Sequence, residues 1–127
     1  MNFNQSILQD IRVAVGLDAT TSDFDTDLLM HINSAIGTLN QNGIGNFIVV
    51  DNETQVWADL QNPSQTVGNQ FFKMIPLFIA LSAKLLFDPP PPSSVQVYQT
   101  SIDQYLWRLK IAYEESYVQP NTEGSDD

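Results

Sequence analysis

Residues 71–87, FFKMIPLFIALSAKLLF, constrain the fold of this chain more than any other stretch. Wound as an α-helix, they present apolar side chains at nearly every angle, interrupted only by two lysines, one serine and Pro76. A helix that is apolar all round is buried in a bilayer or in a protein core. A membrane span needs about 20 predominantly apolar residues, and Lys84 and the prolines after Asp88 stop this run well short of that. We therefore predict the central helix of a small bundle, with no membrane as partner.

The N-terminal part of the chain predicts two amphipathic helices. Apolar residues recur at helical spacing over residues 4–15 and again over residues 28–39, and a glycine follows each segment, first Gly16 and then Gly43. Glycine just past a helix accommodates the left-handed conformation that commonly ends it. The predicted N-caps are Asn4 or Ser6 for the first helix and Asp25 or Thr26 for the second.

The C-terminal part predicts the end of the central helix and one further long helix. Asp88 precedes four prolines, and a residue before proline disfavours the helical conformation, so the central helix should end at Phe87. Pro76 predicts either a kink in that helix or the start of a second helical piece. Ser93 or Ser94 should cap the last helix, whose apolar stripe extends to residue 113.

Two short elements lie between the second helix and the central one. Residues 47–50, FIVV, are β-branched but too few to form a sheet alone. They form either a loop folded onto the core or one half of a pairing with another chain. Residues 53–60 predict a short helix that buries Val56, Trp57 and Leu60. The predicted fold is thus all-α, a small helical bundle of four to five helices with a short extended segment near residues 47–50.

The charge of the chain is strongly negative and uneven. Fifteen Asp and Glu residues against five Lys and Arg give a net charge of −10, and residues 114–127 contain five acidic residues and no basic one. We predict a domain over residues 1–115 and an acidic flexible tail over residues 116–127. Such a surface repels the phosphates of nucleic acid, which weighs heavily against nucleic-acid binding but is compatible with lining a passage for DNA.

The chain contains few groups that could carry out catalysis. His31 is the only histidine, so no pair of histidines stands at metal-ligand spacing. Asp23 begins an alternating run of aspartates like that of a calcium loop, but Leu28 and Ser34 occupy its sixth and twelfth positions, which require Gly and Glu. No nucleotide-binding or nucleophile motif is present. We expect no enzyme activity, no cofactor and no metal.

Several stretches, taken in order, resemble a known family. They are FDTDLLMHINSA at residues 24–35, TLNQ at 38–41 with Gly43 and Gly45 after it, Trp57, LLFDPP at 85–90 and YLWRL at 105–109. Together they resemble the small head–tail connector proteins of long-tailed bacteriophages, also called adaptor or head-completion proteins. The resemblance extends from about residue 7 to residue 112, over most of the chain.

The resemblance implies a helical structural protein of the virion that has no active site. Family members oligomerise, typically as twelve copies, into a ring under the portal that continues the DNA channel toward the tail. The implied partners are further copies of the chain, the portal protein and a further neck or tail-completion protein, while DNA passes without sequence-specific binding. The implied location is the virion neck, at the head–tail interface, after synthesis in the host cytoplasm.

Eight residues are candidates for contacts between proteins. The extended segment invites pairing with a neighbour, tryptophan is a common interface anchor, and the residues beyond the main stripe of the last helix form either a frayed end or a segment that becomes ordered on the portal. The candidates are Phe47, Ile48, Val49, Val50, Trp107, Tyr113, Tyr117 and Val118. The alternative function is that of an acidic DNA mimic or another soluble protein-binding module, which the net charge of −10 suggests.

Overall fold

The computed structural model describes residues 3–46, 48–61 and 73–116. Its regular structure in these ranges consists of four α-helices and one short 3₁₀ helix, Trp57–Leu60. The α-helices are α1 (Ile7–Ala14), α2 (Asp25–Gln41), α3 (Met74–Phe87) and α4 (Pro92–Ser116). The same ranges contain no strand, only one isolated antiparallel bridge between Ser6 and Val56. The predicted all-α bundle is confirmed.

Helix α3 is the centre of the bundle. It packs most extensively against α2 and α4, and also contacts α1. Pro76 is the third residue of α3, in the first turn, where backbone N–H groups have no partner within the helix. The described helix therefore begins at Met74, just before Pro76, which agrees with a helical start near that residue. It ends at Phe87 as predicted, and the Asp88 N–H donates to the Lys84 carbonyl at 2.9 Å. Residues 71 and 72 of the predicted helix lie outside the described residues.

The ends of α1 and the C-terminal end of α2 follow the local sequence. Ser6 is the N-cap of α1, and its hydroxyl accepts a hydrogen bond from the Gln9 N–H at 3.2 Å. Gly16 and Gly43 follow the two helices with φ of 98° and 77°, a left-handed conformation that glycine adopts without strain. These predictions are confirmed.

The predicted N-caps of α2 and α4 are wrong. Phe24 stands at the N-cap of α2 without a side-chain cap bond, and Asp25 is already the first helical residue. Its carboxylate is bonded to Arg12 instead. Helix α4 begins at Pro92, so Ser93 and Ser94 lie inside its first turn. Proline suits the first helical position because its fixed φ is already helical and its missing N–H is not needed there.

Residues 55–58 lie against residues 3–7 near the start of the chain. The Ile7 N–H donates to the Gln55 carbonyl at 3.0 Å, and the Ala58 N–H donates to the Phe3 carbonyl at 2.9 Å. The helix predicted over residues 53–60 is reduced to the four-residue 3₁₀ helix, because the Gln55 side chain bonds residues 51 and 52 in a local turn. Trp57 and Leu60 are buried as predicted.

Candidate assembly surfaces

Arg12 of α1 holds the N-terminal half of the chain together. Its side chain is buried, with 1% of its surface exposed. Its Nε and Nη2 atoms donate to the two carboxylate oxygens of Asp25 at 2.9 and 2.6 Å, a bidentate pair. Its Nη1 atom donates to the Ala19 carbonyl at 2.6 Å and to Glu53. One guanidinium thus connects α1, the start of α2 and the loop before the 3₁₀ helix.

The Arg12 cluster is a structural ion pair rather than a proton-transfer site. Hydrogen bonds to Asp25, the largest effect, and to Glu53 raise the pKa of Arg12 above its ordinary value, although burial opposes the shift. Hydrogen bonds from Arg12 and then Gln9 lower the pKa of Glu53. Both groups therefore stay charged at neutral pH. The cluster was missed in the sequence because the partners lie 13 and 41 residues from Arg12 along the chain.

The described residues contain no arrangement that could bind a metal ion. No group of three or more histidine, aspartate or glutamate side chains converges anywhere in these ranges. His31 is half-buried on α2 and lines an open groove of about 270 Å³ between α2, α3 and α4. The groove is lined on its apolar side by Phe78, Leu85 and Leu106.

Among the helices of the described ranges, none is both long and apolar enough to cross a bilayer.

Residues 48–50 form a loop folded onto the core, one of the two predicted alternatives. Val50 is buried, and the Asn33 side chain accepts from its N–H at 2.8 Å and donates to its carbonyl at 2.9 Å. Ile48 packs half-buried against the core, whereas Val49 is exposed. The Val49 side chain is therefore available to a partner, and its role as a contact stays a prediction. Phe47 lies outside the described residues.

The candidates on α4 fall into two environments. Tyr113 is buried in the core of the single chain, and this burial raises its pKa to about 12. Trp107 is 65% exposed on the opposite side of the helix. Of these two aromatic candidates, only Trp107 can contact a partner directly. Tyr117 and Val118 lie outside the described residues.

The two tryptophans have different roles. Trp57 is fully buried beside α1, and its indole N–H donates to the Asp10 carboxylate at 2.7 Å. A buried indole normally finds such an acceptor, so Trp57 serves the core. Trp107 has most of its ring in solvent, which is unusual for so large an apolar side chain. Trp107 is thus the strongest candidate for a contact among the described residues.

Comparison with known families gives one match, and the matched residues include all four α-helices. A family model described as "Phage connector protein" matches residues 7–116, from the start of α1 to the end of α4. Neither the curated proteins nor the solved structures that were compared with the chain gave a match. Because the family match covers most of the sequence and agrees with the resemblance seen in its motifs, this chain belongs to the phage connector protein family.

Proposed function

We propose that the chain is a structural protein of the virion that connects the head of a phage to its tail. In this proposal it oligomerises into a ring under the portal and continues the DNA channel toward the tail. The observation that carries the proposal is the family match over residues 7–116, which includes every described helix. Assembly, rather than catalysis, is then the activity of the chain.

The charge of the chain supports a role as channel wall. The net charge is −10, and the buried Arg12 is already neutralised by two carboxylates of its own chain. Subunits of this kind arranged around a lumen would repel the phosphates of DNA, so that DNA slides without sequence-specific binding. The resemblance gives twelve as the number of copies in the ring.

The proposed partners lie above and below the ring. The portal protein stands above it and a further neck or tail-completion protein below it, so the chain would be located in the virion neck after synthesis in the host cytoplasm. Residues 1–115 would form the connector domain, and residues 116–127 an acidic tail. In that tail Tyr117 and Val118 would become ordered on docking with the portal. Val49 and Trp107 are the described side chains that we propose as direct contacts.

The alternative, a mimic of DNA, has less support from the geometry. A mimic needs free carboxylates along one face. Asp25 and Glu53 instead bind Arg12, and Asp10 accepts from the indole of Trp57. These three carboxylates stabilise the chain's own fold.

The test is reconstitution with the portal protein of the same phage. Native mass spectrometry and negative-stain electron microscopy of the mixture should show a ring of defined copy number on the portal. The chain alone and the portal alone are the controls, because ring closure can require the portal as a platform. Finding only free monomer with the portal present would contradict the proposal.

A further inference from the structure

Asn42 and Gly43 form the only Asn-Gly pair of the chain, although the chain contains ten asparagines. In such a pair the backbone nitrogen of the glycine can attack the Cγ atom of the asparagine side chain. Glycine favours this attack because it has no side chain to obstruct the approach and its backbone adopts many conformations. The pair stands where α2 ends, and Asn42 is the C-cap residue of that helix.

The reaction of this pair is deamidation, and it needs only water. The bond between the Gly43 nitrogen and Asn42 Cγ forms, and the bond between Cγ and Nδ2 breaks. Ammonia leaves with the proton that the Gly43 nitrogen has lost, and a five-membered succinimide ring remains. Water then opens the ring at one of its two carbonyl carbons. The products are aspartate and isoaspartate, in which the main chain continues through the former side chain.

The structure turns the two reacting groups away from each other. The ψ angle of Asn42 is 12°, so the Gly43 nitrogen lies beside the backbone nitrogen of Asn42 and not on the side of Cβ. Ring closure requires rotation about the Cα–C bond until the Gly43 nitrogen reaches the side of Cβ. The side chain of Asn42 is also engaged, because its Nδ2 donates to the Thr38 carbonyl at 2.9 Å, one turn earlier in α2.

The turn after Asn42 is held in place by its backbone and by one buried side chain. The Gly43 N–H donates to the Asn40 carbonyl at 3.0 Å, and the Ile44 N–H donates to the Leu39 carbonyl at 2.9 Å. The Ile44 side chain is completely buried. Rotation about ψ of Asn42 redirects the chain here, so it breaks both hydrogen bonds and withdraws Ile44 from the core. Ring closure therefore requires opening of this turn.

We propose that Asn42 is a site of spontaneous deamidation whose rate is set by opening of the C-terminal end of α2. The closed turn prevents the reaction, and the opened turn reacts as an unfolded chain does. Openings of this kind cost less free energy than global unfolding, so the modification proceeds while the rest of the chain stays folded. The site is independent of the proposed function, because it depends only on the end of α2.

Deamidation would in turn weaken the end of α2. A carboxylate cannot donate to the Thr38 carbonyl as the amide does. It also adds negative charge at the end of the helix where the macrodipole is already negative. Isoaspartate in addition lengthens the main chain within the turn that carries the buried Ile44. A modified chain should therefore open at this turn more readily than an unmodified one.

Incubation of the full chain at mildly alkaline pH tests the proposal. Samples kept in buffer and in guanidinium chloride are digested at intervals, and chromatography with mass spectrometry measures aspartate and isoaspartate at position 42. We expect conversion in the denaturant, and conversion that is about tenfold slower or more in buffer. Equal rates would show that the fold does not protect the pair, and no conversion in the denaturant would show that the pair is unreactive. Either result overturns the proposal.

The chemical control is Gly43→Ala in the denaturant. The added methyl group obstructs the attack, so this variant should convert more slowly than the parent although both chains are unfolded. The same rate in the two chains would show that position 42 reacts by a route that does not involve the neighbouring glycine.

Two further variants distinguish opening of the turn from global unfolding. Ile44→Ala removes the anchor of the turn but keeps both reacting residues, so it should raise the rate in buffer by about tenfold or more. Ile44→Val, a smaller truncation, should raise it less. Leu8→Ala removes an equally buried side chain from α1 and should leave the rate close to that of the parent. Equal acceleration by I44A and L8A would mean that only global unfolding exposes the pair, which overturns the role of the α2 end.

Discussion

Arg12 illustrates how a single buried residue determines the layout of the N-terminal half. It lies on the buried side of α1 with Ile7, Leu8 and Ile11. A charge at such a position is tolerated only when it is paired and hydrogen-bonded. Arg12 meets this condition through Asp25, Glu53 and a backbone carbonyl, and those contacts in turn fix where α2 begins relative to α1.

Replacing Arg12 with methionine should destabilise the fold. The substitution keeps the length of the side chain but leaves Asp25 and Glu53 without their counter-charge. We expect the free energy of unfolding to fall by about 2 kcal/mol, less than when a fully buried charge is left unpaired, because the carboxylates of Asp25 and Glu53 are partly exposed to solvent. Urea unfolding followed by circular dichroism measures it. Arg12→Lys should lose less because it keeps the charge without the bidentate fork, and an R12M variant as stable as the parent would contradict the structural role.

Tyr113 should make the stability of the chain fall at alkaline pH. Burial raises its pKa from 10.0 to about 12, so the folded chain holds this proton after the unfolded chain has lost it. Below pH 10 both the folded and the unfolded chain hold this proton, so the group does not make the free energy of unfolding depend on pH. The free energy of unfolding then decreases as the pH rises from 10 through 12. Tyrosinate absorbance should reveal one of the four tyrosines titrating late.

The matched control for this titration is Tyr113→Phe. It removes the hydroxyl but keeps the ring in the core, so the late step and the part of the alkaline instability that depends on it should both disappear. If Y113F retains a late-titrating tyrosine, the buried group is a different one.

At the scale of the helices, the sequence was informative wherever a short-range signal sets the structure. Gly16 and Gly43 follow helices because each adopts the left-handed conformation that commonly ends a helix, and α3 ends before Asp88 because the proline after Asp88 disfavours the helical conformation there. Both signals act within one turn of the chain. Ser6, one of the two residues that the sequence indicates as the cap of α1, is the cap for the same reason. The apolar pattern of α3 indicates the centre of the bundle, because a helix that is apolar at nearly every angle and too short to span a bilayer packs in a protein core.

Several features that the sequence did not indicate depend on contacts between distant residues. Asp25 has the composition of a cap, yet its carboxylate is taken by Arg12, 13 residues earlier. The backbone of Val50 is satisfied by Asn33, which no local pattern indicates.

The corner between α3 and α4 should affect assembly more than folding. Only residues 88–91 separate the two helices, and the ring of Phe87 meets that of Phe24 edge-on with centroids 5.4 Å apart. Replacing Pro89 and Pro90 with alanine leaves these packed residues in place but loosens the angle of α4.

We therefore expect the P89A/P90A variant to unfold at nearly the temperature of the parent while forming fewer rings on the portal. Thermal circular dichroism and counting of rings in negative stain measure the two effects. Ser93→Ala, an exposed change in the first turn of α4, is the control. Equal losses of thermal stability and ring formation would show that the corner serves folding alone.

At the scale of the whole molecule, charge and packing divide the chain into parts with different roles. Residues 3–61 carry most of the negative charge and are tied together by Arg12. Residues 73–116 carry the other four basic residues, balanced by four acidic ones, and the exposed Trp107. If copies of the chain assemble as we propose, parts of unlike charge favour contacts between different faces over pairing of identical faces.

The last eleven residues provide the final prediction, at this same scale. Residues 117–127 contain three acidic residues and no basic one, and they follow the end of α4. A chain truncated after Ser116 keeps every described helix, so its unfolding temperature should change little. If Tyr117 and Val118 dock on the portal, the truncated chain should lose portal binding in pull-down and in native mass spectrometry. A full-length variant with Glu123→Gln, Asp126→Asn and Asp127→Asn separates the causes. This variant removes the charge of the tail but keeps both apolar residues, so it should still bind the portal. Undiminished portal binding by the truncated chain would contradict the prediction and assign portal docking to the helical domain.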